Sequence, residues 1–265
     1  MKRRQFLAAS LATSALALAH ESGSAQAAPS SQREFYLMRR YELGSGPESK
    51  LTESYFSGAL IPALGRMGLG PIGAFRLDYG QQTPAHYLLI PGASIQILAE
   101  LELRLADDAE FMKSADPFWN ATAASPAYRR VEASLMIAFK GWPKLKLPPS
   151  SGARSQRIFQ LRTYQSPSNG EHVRKVEMFH SGEFEIFLKS GMTPVFFSDK
   201  LIGANLPNLT YMLCFTDLAE LDEKWVAFRT NPEWKKLSAN PRFAFDSIVT
   251  NIDNLVLSPL DCSQI

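Results

Sequence analysis

The sequence states one plan twice. Residues 36–41 read YLMRRY and residues 159–164 read FQLRTY. A shift of 123 positions pairs Arg39 with Arg162, Tyr41 with Tyr164 and Phe56 with Phe179. The same shift lays GLGPIGAF (68–75) on GMTPVFFS (191–198), so Pro71 meets Pro194. Further on, DPFW (116–119) resembles NPEW (231–234) and SPAY (125–128) resembles NPRF (240–243), both at a shift of 115. On that reading the first half carries about eight extra residues, within PGASIQILAELEL. Ordered matches at consistent spacing mean that a half-length unit was used twice, and this fixes the fold before any single motif does.

Each half then yields one order of elements. RIFQLRTY alternates and is β-prone, so it reads as a strand. Asn169 is placed to cap the following helix, which brings Val173, Val176, His180, Phe184 and Phe187 near one face and ends at Gly191. TPVFFS and LTYMLCF follow as strands. Then come a helix capped by Asp217, a turn with Pro232 at a first helical position, and a last strand in SIVTNIDNLVL. The order βαββαβ is the ferredoxin-like split unit. The first half repeats it, from EFYLMRRY through a helix over about 49–66 to ASLMIAF. The predicted class is α+β, with one repeat over 28–145, a Pro/Ser/Gly-rich exposed linker over 146–155 and a second repeat over 156–265.

Residues 1–27 predict an export leader. Arg3 and Arg4 precede a short apolar run rich in Ala and Ser, and Ala25 and Ala27 suit a cleavage site. The paired arginines followed by Phe-Leu fit a twin-arginine signal, which implies a periplasmic or secreted protein. The run is too short for a membrane span, so none is expected after the signal is removed. Without the leader, Lys plus Arg falls from 28 to 25 and Asp plus Glu from 26 to 25. A chain this near neutrality lacks the basic excess that nucleic-acid binding demands. Export would permit a bridge between Cys214 and Cys262, but Cys214 lies in an apolar run and Cys262 in a tail, so the favoured reading is a buried thiol and a tail thiol, and two cysteines make no disulfide scaffold.

With RIFQLRTY, the helix ending in GMTPV, and NPEWKKL before a closing strand, the chain resembles the NIPSNAP family; YLMRRY and DPFWNA carry the resemblance into the first half. The resemblance implies a dimeric α/β barrel, in which two ferredoxin-like sheets close face to face with helices outside. Here both sheets come from one polypeptide, and a homo-oligomer is allowed besides. The resemblance names a fold and no settled reaction.

Alternation places Gln160, Arg162 and Tyr164 on one strand face, and Arg39 and Tyr41 on the matching face of the first repeat. If that polar face looks into the barrel, Arg39, Tyr41, Arg162 and Tyr164 line one space suited to a carboxylate or other anion on an apolar ligand. The structural alternative pairs each arginine with an acidic neighbour at the sheet seam, such as Glu42 or Asp199. His180 is the catalytic candidate, set against a plain core histidine. No fixed cofactor or metal is expected. Haem on His86, His172 or His180 enters only because some relatives by fold hold haem in such barrels. No phosphate loop, nucleophile elbow or zinc helix is present in the sequence. Two functions follow: an exported small-molecule-binding or interaction module, or a metal-independent barrel-lumen enzyme, monooxygenase- or isomerase-like, acting on a small anionic or aromatic metabolite.

Overall fold

Strands dominate the layout of this computed structural model, which describes residues 32–44, 46–80 and 82–265. The leader expected over 1–27 lies outside the described residues. The first half supplies β1 (Phe35–Glu42), β2 (Gly73–Leu77), β3 (Ala85–Gly92) and β4 (Arg130–Ala138). The second supplies β5 (Ile158–Gln165), β6 (Thr193–Ile202), β7 (Asn208–Phe215) and β8 (Asn251–Pro259). They close into one antiparallel barrel in the order β1-β3-β2-β8-β5-β7-β6-β4. Each half therefore keeps the 4-1-3-2 order of a ferredoxin-like sheet. The sheets join edge to edge through β2–β8, where Leu77 faces Leu257, and through β4–β6, where Met136 faces Lys200. Closure leaves no unpaired strand edge in the barrel.

Helices cover the outer face. In the first half α1 spans 46–66, α2 spans 95–106 with a break at Glu100, and α3 is Ala109–Trp119. In the second, α4 spans 169–189, α5 is Leu218–Thr230 and α6 is Pro232–Ser238. Capping follows the sequence chemistry: Asp217 accepts from the Glu220 N–H at 2.9 Å, and Gly191 ends α4 at φ +74°. Ser168, rather than Asn169, caps α4, accepting from Glu171 N–H at 3.2 Å.

The register corrects the expected offset. Arg39 lies opposite Leu88 and Arg162 opposite Tyr211, so 162 − 39 and 211 − 88 both give 123. The cap pairs Ser94/Asp217 and Asp108/Asn231 keep that shift. Only at the last strands, where Ala133 and Asn254 face the two arginines, does it become 254 − 133, or 121. No eight-residue excess exists. DPFW closes α3, whereas NPEW opens α6, so their likeness is local composition around a Pro and a Trp.

Both long helices are irregular at equivalent positions: α1 has a π turn at Phe56–Leu60, and α4 kinks within Phe179–Glu183, where Ser181 and Gly182 (φ +124°) leave helical geometry. Either irregularity rotates the helix face beyond it. That is why the expected stripe on α4 breaks: Phe184 and Phe187 are buried, but Val173 and His180 are exposed. Apolar side chains fill three regions. Two lie between each half-sheet and its helices, and the third fills one end of the lumen with Tyr36, Phe75, Phe159 and Phe196. The linker is pinned at its start: Trp142 is buried under the Lys146 ammonium, 3.7 Å from the ring centroid, and Lys146 N–H donates to Val195 O at 2.9 Å. Cys214 and Cys262 are both free thiols.

Candidate functional site

The arginine–tyrosine face points outward. On β1 the lumen side is Tyr36, Met38 and Arg40, while Leu37, Arg39 and Tyr41 look at the helices. On β5 the lumen side is Phe159, Leu161 and Thr163, and Gln160, Arg162 and Tyr164 lie under α4 and α5. The single shared space expected for Arg39, Tyr41, Arg162 and Tyr164 is thus two separate sites on opposite half-sheets. The physical reason is packing. The narrow end of an eight-stranded barrel must be filled by tightly fitting side chains, whereas helix side chains can meet the charges of the outer face.

In the first half this face is open. Arg39 is buried, and its Nη1 lies 2.6 Å from Oε1 of Glu102 on α2, a carboxylate more than half exposed. Tyr41 from β1, Tyr55 from α1, Phe118 and Trp119 from α3, and Tyr128 complete a cavity of about 370 Å³. Tyr55 stacks flat on Phe118 at 3.8 Å, and Tyr41 meets Tyr128 edge-on at 6.1 Å. Burial pushes the Tyr41 and Tyr55 phenols above their ordinary pKa, so both stay protonated near neutral pH. The result is an aromatic slot with a guanidinium at its base and a counter-ion that solvent already reaches.

In the second half the same space is filled. Trp225 stands where a shift of 123 places Glu102, and the Arg162 guanidinium sits over its ring at 4.3 Å. No ion pair of Arg162 within 4 Å occurs among the described residues, and its Nε has no hydrogen-bond partner. Trp225 Nε1 donates to Gln160 at 2.7 Å. The Tyr164 and Tyr211 hydroxyls share a hydrogen bond of 2.9 Å. Beneath them Lys175 and Glu183, both almost wholly buried, pair at 2.9 Å. The seam alternative is also redrawn: Arg39 pairs with Glu102 rather than Glu42, and Asp199 pairs with His172 at 2.8 Å rather than with an arginine.

The histidines stand apart from one another. His180 is exposed; its Nδ1 donates to Val176 O at 2.8 Å and its Nε2 accepts from Gly141 N–H at 3.1 Å, clasping α4 to the segment that follows β4. With both ring nitrogens engaged, it acts as a tether. His86 is buried and meets Glu53 at 3.1 Å beside an open groove of about 760 Å³ at the β2–β8 seam. Burial lowers its pKa, which favours the neutral ring. His86 lines the groove at the β2–β8 seam and His172 a separate groove beside Asp199, so the histidines considered for haem do not share one cavity. Among the described residues no three His, Cys, Asp or Glu side chains group as a metal site.

A third cavity, of about 430 Å³, opens at the polar end of the lumen. Arg40, Tyr87 and Glu132 come from the first half, and Thr163, Lys200 and Asp253 from the second. Sequence reasoning passed over these residues. The signal was there in the doublet Arg39-Arg40, because alternation must send one of two adjacent arginines to each face.

A closed antiparallel barrel with helices outside, built from two four-stranded sheets, is the dimeric α/β barrel in its single-chain form. Solved structures agree on the fold. A candidate monooxygenase from Lactobacillus acidophilus NCFM superposes with a TM-score of 0.54 at 9% identity, covering 86% of this chain and 94% of its own. A candidate monooxygenase from Fusobacterium nucleatum gives 0.54 at 7% identity over 86% and 93%. The candidate chlorite dismutase TA0507 gives 0.51 at 12% over 87% and 96%. Within that class, the NIPSNAP family model matches residues 159–264, almost the whole second half. No curated protein matches the chain.

Proposed function

We propose that this is an exported, tandem NIPSNAP-like protein that binds a small aromatic or otherwise apolar anion in the slot of its first half. The observation that carries the reading is Arg39, a buried guanidinium at the base of an aromatic cavity, whose one ion pair among the described residues is with the solvent-exposed Glu102. A ligand carboxylate can take the place of Glu102 and form charge-assisted hydrogen bonds in a low-dielectric site. Tyr41, Tyr55 and Tyr128 supply faces and hydroxyl donors for its body. The matching registers and caps of the two halves support an ancestral duplication. In it the second unit kept the packed core and the first kept the opening. The twin-arginine leader would deliver this protein already folded. On this reading His180 is structural, and the chain needs no metal.

The test is calorimetric titration of the purified protein with benzoate and with benzamide. Benzoate should bind and benzamide should bind much more weakly. Arg39→Ala should abolish benzoate binding, and Glu102→Gln, which removes the competing carboxylate and keeps the shape, should tighten it. Equal binding of the two probes, or benzoate binding weakened by Glu102→Gln, would overturn the reading.

A further inference from the structure

The lumen mouth holds a lysine that nothing in the fold explains. Lys200 sits on β6 opposite Met136, at the seam where the two halves join. Its aliphatic stem is fixed: a Cβ placed on Gly203 would lie 3.1 Å from Lys200 Cδ and 2.6 Å from Ser134 Oγ, so stem, hairpin and β4 are in close packing. The residue lines both the cavity of about 430 Å³ and a neighbouring groove with His172 and Asp199. The other charged groups there are already engaged. Arg40 is bidentate to Glu132 at 2.7 and 3.2 Å, and Asp253 accepts from Gln165 at 3.0 Å and Asn251 at 3.1 Å. Lys200 forms no ion pair within 4 Å among the described residues. Tyr87, the remaining titratable group on the cavity wall, has its phenol pushed up to about 12 by burial and so remains a proton donor.

Burial lowers the pKa of Lys200, although Asp253 and Glu132 pull the other way. The free amine is therefore more accessible than on a surface lysine. A desolvated lysine in a pocket is the arrangement that makes this side chain a nucleophile toward carbonyl carbon. We propose that Lys200 is a reactive amine that condenses with a small aldehyde or ketone entering the lumen mouth. Its lone pair attacks the carbonyl carbon and a C–N bond forms. Both amine hydrogens pass to the carbonyl oxygen, which leaves as water, and a C=N linkage remains with no change of oxidation state. Tyr87 is placed on the same wall to hydrogen-bond the departing oxygen. The site draws residues from both halves, so it exists only in the closed barrel. It is independent of the Arg39 slot.

The experiment uses propionaldehyde with sodium cyanoborohydride at pH 7, which reduces any C=N to a stable secondary amine, followed by peptide mapping. Lys200 should be alkylated several-fold faster than the exposed Lys140 and Lys236. Asp253→Asn, which removes one of the charges holding the proton on Lys200, should speed its labelling further. Benzoate at saturation of the first-half slot should leave the rate unchanged. Labelling of Lys200 no faster than that of the exposed lysines, or slowed by Asp253→Asn, would overturn the proposal. The wild-type comparison stands even if a variant fails to fold.

Discussion

Replacing Lys175 by Met isolates a buried ion pair beneath the second half-sheet. Lys175 Nζ lies 2.9 and 3.2 Å from the two oxygens of Glu183, and both side chains are about 99% and 98% enclosed by protein. Met keeps most of the volume and removes the charge, leaving Glu183 buried without its partner. Breaking a buried pair in this way costs about 3–5 kcal/mol. Burial already raises the Glu183 pKa, and losing the Lys175 attraction raises it further. The sign of the pH dependence follows. A carboxyl with a raised folded pKa contributes stability that is fully present below the unfolded value near 4.5, and that stability is lost as pH rises through the folded value. The penalty of Lys175→Met should therefore be smallest near pH 4.5 and should grow toward pH 8. Urea unfolding followed by tryptophan fluorescence at both pH values measures it. The double variant Lys175→Met/Glu183→Leu should recover most of the loss, because the first half carries Leu60 at the position equivalent to Glu183. A penalty independent of pH, or a double variant no better than the single one, would refute the reasoning.

Two further outcomes are expected. Trp225→Ala should cost about 3–5 kcal/mol, and should open a cavity over Arg162 like the one over Arg39, so that calorimetry detects a second benzoate equivalent; one equivalent would show that the slot depends on more than the missing indole. The Cys214 thiol, pushed up to about 11 by burial, should react with a disulfide reagent at pH 8 only after urea is added, whereas rapid reaction in the native protein would contradict its burial.

The sequence by itself determined the βαββαβ order within each half and which residues share a strand face, because these rest on local alternation, capping and turn chemistry. The cap at Asp217, Pro232 at a first helical position and the stop at Gly191 were legible for the same reason. A Pro-Trp likeness misled the late alignment, since two short helices can share a motif at opposite ends. Periodicity shows that Arg39 and Arg40 lie on opposite faces, but not which face meets helices and which meets the lumen. That choice depends on how two sheets join at β2–β8 and β4–β6, a long-range matter of edges and volume. Nor can residue types alone reveal that Glu102 leaves one slot open while Trp225 fills the other, because each partner is some sixty residues from its arginine in the chain. Lys200 meets Arg40, Glu132 and Asp253 only when the barrel is shut. Local physics fixes the elements and their faces; closure of the sheet decides which side chains share a cavity.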